Sequence, residues 1–223
     1  MSNQDRSNTT KKSTVYVALI TALAIIIGSV ILGLGGQTTP QEPTPEAAPA
    51  VELPNAGIIE SNKASITFTT NQGEIVIETT PSLAPLTVNA MAALAQKNYF
   101  DNTICHRLTT EGIFVLQCGD PTGTGTGSPG FTIPDENLPQ AVENNYPAGT
   151  VAMANAGSGT SGSQFFLVYQ DTTLENAAYT IWGSITSGLD ILQTIASAGV
   201  VDGGADGAPL TGVTIESTKV TIS

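Results

Sequence analysis

Apolar positions follow three different rules along this chain, and each rule predicts a different kind of element. From Ser13 to Gln41 no residue is charged, and Val15 to Leu34 is apolar on every side. Such a run supplies about the 20 residues that a helix needs to cross a bilayer. It follows Lys11 and Lys12 and precedes a polar, proline-rich stretch, so it reads as a transmembrane anchor over 15–36 rather than a buried core helix. A cleavable signal peptide shares the basic start, but its apolar core is usually about 7–15 residues and an Ala-x-Ala site follows it. The residues favour the anchor without deciding whether the segment is cleaved. With a basic stub (1–14) held in the cytoplasm, the positive-inside rule predicts a single-pass protein of the cell membrane whose C-terminal part is extracytoplasmic.

The second rule is an absence of pattern. Gln37 to Asn55 carries five prolines and no basic residue, which predicts a linker over 37–62. As a semi-rigid spacer at ~3.1 Å per residue it would reach about 60 Å. The same composition also suits a disordered tether. From Lys63 the third rule takes over, with a period of two. Ile66 and Phe68 alternate with threonines, Asn71-Gln72-Gly73 reads as a turn, and Ile75 and Ile77 alternate with polar residues, which predicts a hairpin. Between Pro85 and Tyr99 the apolar spacing becomes helical, with proline where a first turn tolerates it, and a second helix is expected near Leu189–Ala198. The other apolar runs are short and β-rich: Thr103–Leu108, Ile113–Cys118, Thr150–Ala154, Gln164–Tyr169, Thr180–Ile185 and Val213–Ile222. Many short strands with two helices predict a mainly β domain over 63–223, a closed barrel with helical caps.

Charge and composition then exclude several classes. Beyond the stub, four basic residues face eighteen carboxylates, a net charge of −14, so nucleic acid is not an expected partner. One histidine and two cysteines are too few for a four-ligand zinc site. Gly159 to Ser163 lacks the spacing of a nucleophile elbow, and Gly123 to Gly130 lacks the Lys-Ser/Thr of a phosphate loop, so it reads as a flexible loop. No cofactor is expected.

Two stretches, Cys105 to Asp120 and Met153 to Phe166, combine one arginine, several amides and several aromatics, with no nucleophile and base pair. Both resemble the signature blocks of the cyclophilin family of peptidyl-prolyl cis/trans isomerases, and the resemblance runs from about Ser65 to the C-terminus. It implies an eight-stranded antiparallel barrel with a helix over each open end. It also implies that Arg107 is the catalytic cation, that Gln117 orients it, and that Phe114 helps to wall the proline pocket. Val115 stands where the family has a pocket-wall methionine. Ala154 and Asn155 match the residues whose backbone meets the bound peptide, Gln164 matches a peptide-contacting glutamine, and Phe166 matches the pocket floor. Leu174 and Tyr179 match two further pocket positions, with an extra residue between them here.

Some positions depart from the common family pattern. The connection from Arg107 to Gln117 is two residues longer, and Tyr179 stands where many members carry histidine. Thr173 replaces the tryptophan of cyclosporin-sensitive members, which implies weak or no cyclosporin binding. His106 neighbours Arg107, so on a strand it points to the opposite face and reads as structural. Cys105 and Cys118 fit a disulfide by compartment. Strand parity argues against one, because Cys105 would share the face of Arg107 while Cys118 would not.

The chemistry is coherent with these residue types. Rotation about a prolyl bond faces a barrier of about 20 kcal/mol, which arises from amide resonance. A catalyst must favour the twisted amide, whose nitrogen gains a lone pair that an N–H donor or cation can stabilise. Arginine suits this because it stays protonated and holds a fixed planar fork. The expected function is a prolyl isomerase acting on proline-containing unfolded or flexible polypeptides outside the cytoplasmic membrane, with the class of folding helper or chaperone. The alternative is a binding module or holdase of the same fold with little turnover, and a weaker one is an envelope scaffold.

Overall fold

The computed structural model describes residues 52–223. The stub, the anchor over 15–36 and the linker up to residue 51 lie outside those residues. Among the described residues no helix is long and apolar enough to cross a membrane. In chain order the elements are β1 (Ala64–Thr70), β2 (Gly73–Thr79), α1 (Pro85–Gln96), β3 (Thr103–Ile104), β4 (Arg107–Thr109) and β5 (Val115–Cys118). They continue with β6 (Thr150–Met153), β7 (Phe165–Val168), β8 (Ile181–Ser187), α2 (Leu189–Ala198), a 3-10 turn at Val201–Gly203, β9 (Asp206–Gly207) and β10 (Thr214–Ile222).

The predicted hairpin forms as its alternation requires. Ile66 pairs with Ile77 and Phe68 with Ile75, all four pointing inward. All pairings are antiparallel, and the strands make one sheet in the order β3-β10-β1-β2-β8-β6-β7-β5-β4-β9. A curled ten-stranded sheet in open order therefore replaces the expected closed barrel of eight, since the end strands β3 and β9 do not pair. The difference arises where Thr103–Leu108 was expected to be one strand. The run breaks at Cys105-His106, so that β3 serves β10 while β4 serves β5. The two arms of the sheet are joined there by chain rather than by a ladder.

A disulfide sits at that joint, Cys105 to Cys118, which corrects the parity argument. Arg107 and Gln117 do face each other across β4 and β5. But Cys105 precedes the first residue of β4, and its N–H donates to the carbonyl of Val213 instead. Alternation holds only along a ladder, so it cannot be extrapolated two residues past the ladder's end.

The main core is aromatic at its centre. Phe68 stacks on Phe165 at 5.3 Å, Phe100 meets both edge-on, and Trp182 closes on Phe165 at 6.0 Å. Helix α1 covers this core with Val88, Met91, Ala92 and Ala95, its alanines letting the helix approach closely. Its N-terminus is capped from a distance: the Glu136 carboxylate accepts from the N–H groups of Leu86 and Thr87 and from the Thr87 hydroxyl at 2.7–3.0 Å.

Part of the expected linker belongs to this core. Ile58 is buried, and Leu53 and Ala56 pack against the same cluster. The side chain of Asn89 on α1 reads both backbone groups of Ile58, accepting from its N–H at 2.9 Å and donating to its carbonyl at 2.8 Å. Removing residues 52–62 would lose the burial of one isoleucine, about 2–3 kcal/mol, and leave a buried amide unpaired at about 1–3 kcal/mol more. A fragment beginning at Lys63 is expected to melt roughly 10 °C below one beginning at Glu52. Equal melting temperatures by calorimetry would show that the latch contributes nothing.

Candidate active site

One row of directly opposed residues crosses four strands. Arg107 on β4 faces Gln117 on β5, Gln117 faces Phe166 on β7, and Phe166 faces Ala152 on β6. Opposed residues share a face of the sheet, so this row lies on the side away from the aromatic core. Val115 and Val168 make the next row on the same side. Segments 144–146 and 172–179 fold over part of this face and bury a second, smaller apolar cluster of Val115, Tyr146, Ala152, Phe166 and Val168. The strand β7 thus supplies Phe165 to one cluster and Phe166 to the other, which is why all four of its residues are buried.

A cavity of about 200 Å³ opens beside that cluster, and it gathers most of the residues expected from sequence. Phe166, Leu174, Tyr179 and Val115 supply its apolar wall, and Arg107, Gln117, Ala154 and Asn155 supply its polar edge. Tyr179 meets the Phe166 ring edge-on at 5.5 Å. An adjoining cavity of about 370 Å³ shares Gln117, Ala154 and Asn155 with the first and adds Gln164 and the glycine loop. Together the two form an extended groove with one apolar hole. Among the described residues the backbone N–H and C=O of Asn155 make no hydrogen bond, while its side-chain amide is tied to the carbonyl of Ala178 at 2.8 Å.

Phe114 is a correction. It packs edge-on against Tyr169 at 6.0 Å and lines a different surface groove, beside α2. It lies just before β5 and packs against the main core instead of the cavity. Ile113 takes the place at the cavity. The turn leading into this segment passes through Gly112 at a φ of +73°.

Polar contacts fix the row in place. Arg107 donates through Nη1 to Oε1 of Gln117 at 3.2 Å. Gln117 donates to Oε1 of Gln164 at 2.8 Å, and Gln164 donates to the carbonyls of Gly125 and Gly127, each at 3.0 Å. The glycine loop is held in turn by Asp120. Its buried carboxylate accepts from the N–H groups of Thr122, Gly125 and Gly127 and from the Thr122 hydroxyl. Burial pushes the Asp120 carboxyl up, but these donors outweigh it and hold the pKa down at about 2. A Cβ on Gly127 would overlap that carboxylate, so this position requires glycine. The loop read from sequence as flexible is therefore knotted.

His106 lies under the loop, away from Arg107's cavity, with both ring nitrogens buried and unpartnered. Burial lowers its pKa, opposed by the nearby Asp120 charge.

Three supporting residues escaped the sequence reading. Asn145 grips Leu174 through both backbone groups at 2.9 Å. Tyr146, its hydroxyl pushed by burial to a pKa of about 12, does the same for Tyr179 at 3.0 Å. Adjacent in the chain, Asn145 and Tyr146 are buried polar residues in a run that looks like loop. The third is Asp206, which makes a two-bond contact with Arg107 through Nε at 2.8 Å and Nη2 at 2.7 Å. That hydrogen bond raises the Arg107 pKa and lowers that of Asp206. In sequence Asp206 sits in a glycine-rich acidic turn and carries no signal of its own.

The arrangement offers N–H donors at the rim of an apolar hole and no nucleophile paired with a base. It suits gripping an extended peptide and stabilising charge on an amide, not cleaving it.

Comparison with known proteins agrees with this geometry. Residues 65–220 match the family described as cyclophilin type peptidyl-prolyl cis-trans isomerase/CLD. The chain is 45% identical over 189 residues to a probable peptidyl-prolyl cis-trans isomerase B of Mycobacterium tuberculosis, covering 78% of this chain and 61% of that protein. A probable peptidyl-prolyl cis-trans isomerase B of Mycobacterium leprae is 43% identical, over 85% of this chain and 68% of its own length. The chain thus spans under two thirds of the Mycobacterium tuberculosis relative. Among solved structures, a Cryptosporidium parvum cyclophilin type peptidyl-prolyl cis-trans isomerase superposes with a TM-score of 0.62 at 28% identity, over 72% of this chain and 98% of that one. A crystal of the same protein in the presence of the dipeptide Ala-Pro gives a TM-score of 0.61 at 29% identity, over 70% and 98%.

Proposed function

The chain belongs to the cyclophilin type peptidyl-prolyl cis-trans isomerases, and from that premise we propose that it accelerates rotation about X-Pro peptide bonds in unfolded or flexible polypeptides outside the cytoplasmic membrane. The observation that carries this reading is the junction of Arg107 with the 200 Å³ apolar cavity floored by Phe166. A prolyl ring held against Phe166, Leu174 and Tyr179 is fixed, so the acyl side of the bond must do the turning. As the amide twists, conjugation is lost and the nitrogen gains a lone pair. Arg107 stands at the cavity's edge as a donor to that developing charge, and it needs no proton transfer to act. An acceleration of 10⁵ requires about 7 kcal/mol of such differential stabilisation. The unpaired backbone of Asn155 and the rim amide of Gln164 supply the peptide's main-chain contacts.

The extracytoplasmic placement rests on the uncharged run Val15–Leu34 and the basic stub before it. The proposed weak response to cyclosporin rests on Thr173, a small side chain next to Leu174 whose hydroxyl oxygen is occupied by the N–H of Asn144 at 2.9 Å.

Replacing Arg107 with alanine is expected to lower kcat/KM by about 10²–10³, the cost of one preorganised donor, while the domain stays folded. Turnover like that of the unmutated protein, with unchanged melting, would sink the assignment of Arg107, and an unmutated protein without turnover would leave a peptide-binding module. Protease added to intact cells should cut between Gln37 and Asn55 and release a compact core, because exposed proline-rich backbone is cleaved more readily than paired strands. A requirement for membrane rupture would reverse the orientation. Loss of a tryptophan anchor is worth about 2–4 kcal/mol, so inhibition should need micromolar cyclosporin and Thr173→Trp should restore part of the sensitivity. Nanomolar inhibition of the unmutated protein would contradict this.

A further inference from the structure

We propose that Asp206 is a positioning residue for the reaction: its carboxylate grips one edge of the Arg107 guanidinium and thereby aims the opposite end at the peptide. The proposal rests on the isomerase reading above and adds to it the residue that fixes the cation.

The geometry is that of a clamp with a free end. A guanidinium has five N–H donors in a rigid plane. Asp206 takes the one on Nε and one of the two on Nη2, while Gln117 takes one of the two on Nη1. One N–H on Nη1 and one on Nη2 are left over. The one on Nη2 projects from the end of the fork remote from Nε, so the carboxylate occupies the flank without blocking the end. Without the clamp, only the 3.2 Å contact to Gln117 would hold a long side chain that is 39% exposed. One contact leaves the fork free to swing about it, whereas contacts on two sides of a plane fix the plane.

The chain is folded so as to deliver this carboxylate. The strand β9 is two residues long, and its ladder is with β4, the strand that carries Arg107. Thr109 pairs with Asp206 and Leu108 with Gly207, and the N–H of Thr110 donates to the carbonyl of Ala205 at 2.8 Å. The turn before β9 is fixed by buried Val200, which bridges to Pro209, and passes through Asp202 at a φ of +68°. Arg107 to Asp206 is also the one ion pair among the described residues, in a domain where carboxylates far outnumber cations. Abundant carboxylates would give loose, single-point contacts to any cation. A two-bond contact from a dedicated edge strand is a different arrangement. Exposed ion pairs add little to stability, so stability does not account for it.

The test uses the full chain in detergent, with Arg107→Ala, Asp206→Ala, Asp206→Asn and the Arg107→Ala/Asp206→Ala double variant. Isomerase kinetics are read beside Nε–H spectra of protein labelled with ¹⁵N-arginine. The chain contains two arginines, Arg6 and Arg107, so the Arg6 signal is an internal reference. Asp206→Ala should lose roughly 10- to 100-fold in kcat/KM, mainly through kcat, as expected when a reacting group is misplaced by about 1 Å. Its melting temperature should change by no more than about 3 °C. The Arg107 Nε–H signal should shift and exchange faster with water, and the Arg6 signal should not move. Asp206→Asn, which keeps one acceptor oxygen in place, should fall between, and it serves as the probe if the alanine variant does not fold. The double variant should be no worse than Arg107→Ala, because Asp206 acts through that residue.

An active parent with Asp206 variants of unchanged turnover overturns this proposal alone, whether or not the Arg107 signal moves. So does a loss of turnover with an unmoved signal, or a double variant clearly worse than Arg107→Ala. Normal turnover in Arg107→Ala leaves an isomerase that does not use Arg107 and overturns the Arg107 assignment and this proposal, whereas an inactive parent removes the isomerase reading itself and this proposal with it.

Discussion

A single arginine has to be held still in a domain crowded with negative charge, and most of the site's architecture serves that constraint. One flank is held by the direct contact to Asp206, and the other by a relay. Arg107 binds Gln117, Gln117 binds Gln164, Gln164 binds two carbonyls of the glycine loop, and the loop's amides bind Asp120. Arg107 only donates and Asp120 only accepts, while the members between them do both, so the amides are fixed in orientation by their neighbours at each end. Such chains are stiffer than their separate bonds. The cost of burying a carboxylate at Asp120 is met by four donors, three of them backbone groups in a loop too glycine-rich to order itself. The disulfide from Cys105 to Cys118 closes the same region by covalent means, spanning from the residue two before Arg107 to the residue after Gln117.

The sheet contributes by alternation. Because β7 sends Phe165 to the aromatic core and Phe166 to the groove, any strain that shifts one shifts the other. The pocket floor is therefore carried on the same strand as the core, although it faces the other way. Its roof is less regular chain, and there Asn145 and Tyr146 replace ladder bonds with side-chain bonds to the backbone of Leu174 and Tyr179. That lets the rim be rigid without being a strand, and so leaves the groove open to a peptide.

What was legible in the sequence was whatever repeats. The alternation of Ile66, Phe68, Ile75 and Ile77 fixed a hairpin, and helical spacing placed α1 and α2, the second at its observed bounds of Leu189–Ala198. The resemblance put Arg107 beside Gln117, and Phe166, Leu174 and Tyr179 around one cavity. The misses fall where a period stops. Cys105 is past the end of β4, Phe114 precedes the first residue of β5, and the expected single strand over Thr103–Leu108 breaks between two ladders. Ile58 was lost to composition, since a lone apolar pair in a proline-rich stretch has no rhythm to mark it.

Asp206 shows a harder limit. A half-exposed carboxylate in a turn of glycines has the sequence environment of a solvated surface acid. Its meaning comes from being brought back to β4 across about a hundred residues of chain, a relation that no local pattern encodes. Its carboxylate also lowers the net charge at the cavity's edge, which by itself would weaken the cation's pull. A fixed N–H that needs no reorganisation can outweigh a freer charge, because the energy of orienting the donor is spent during folding instead of at the transition state. On that account the groove depends on a cation whose direction matters more than its charge, and lysine at position 107, with equal charge but no plane to clamp, would not serve.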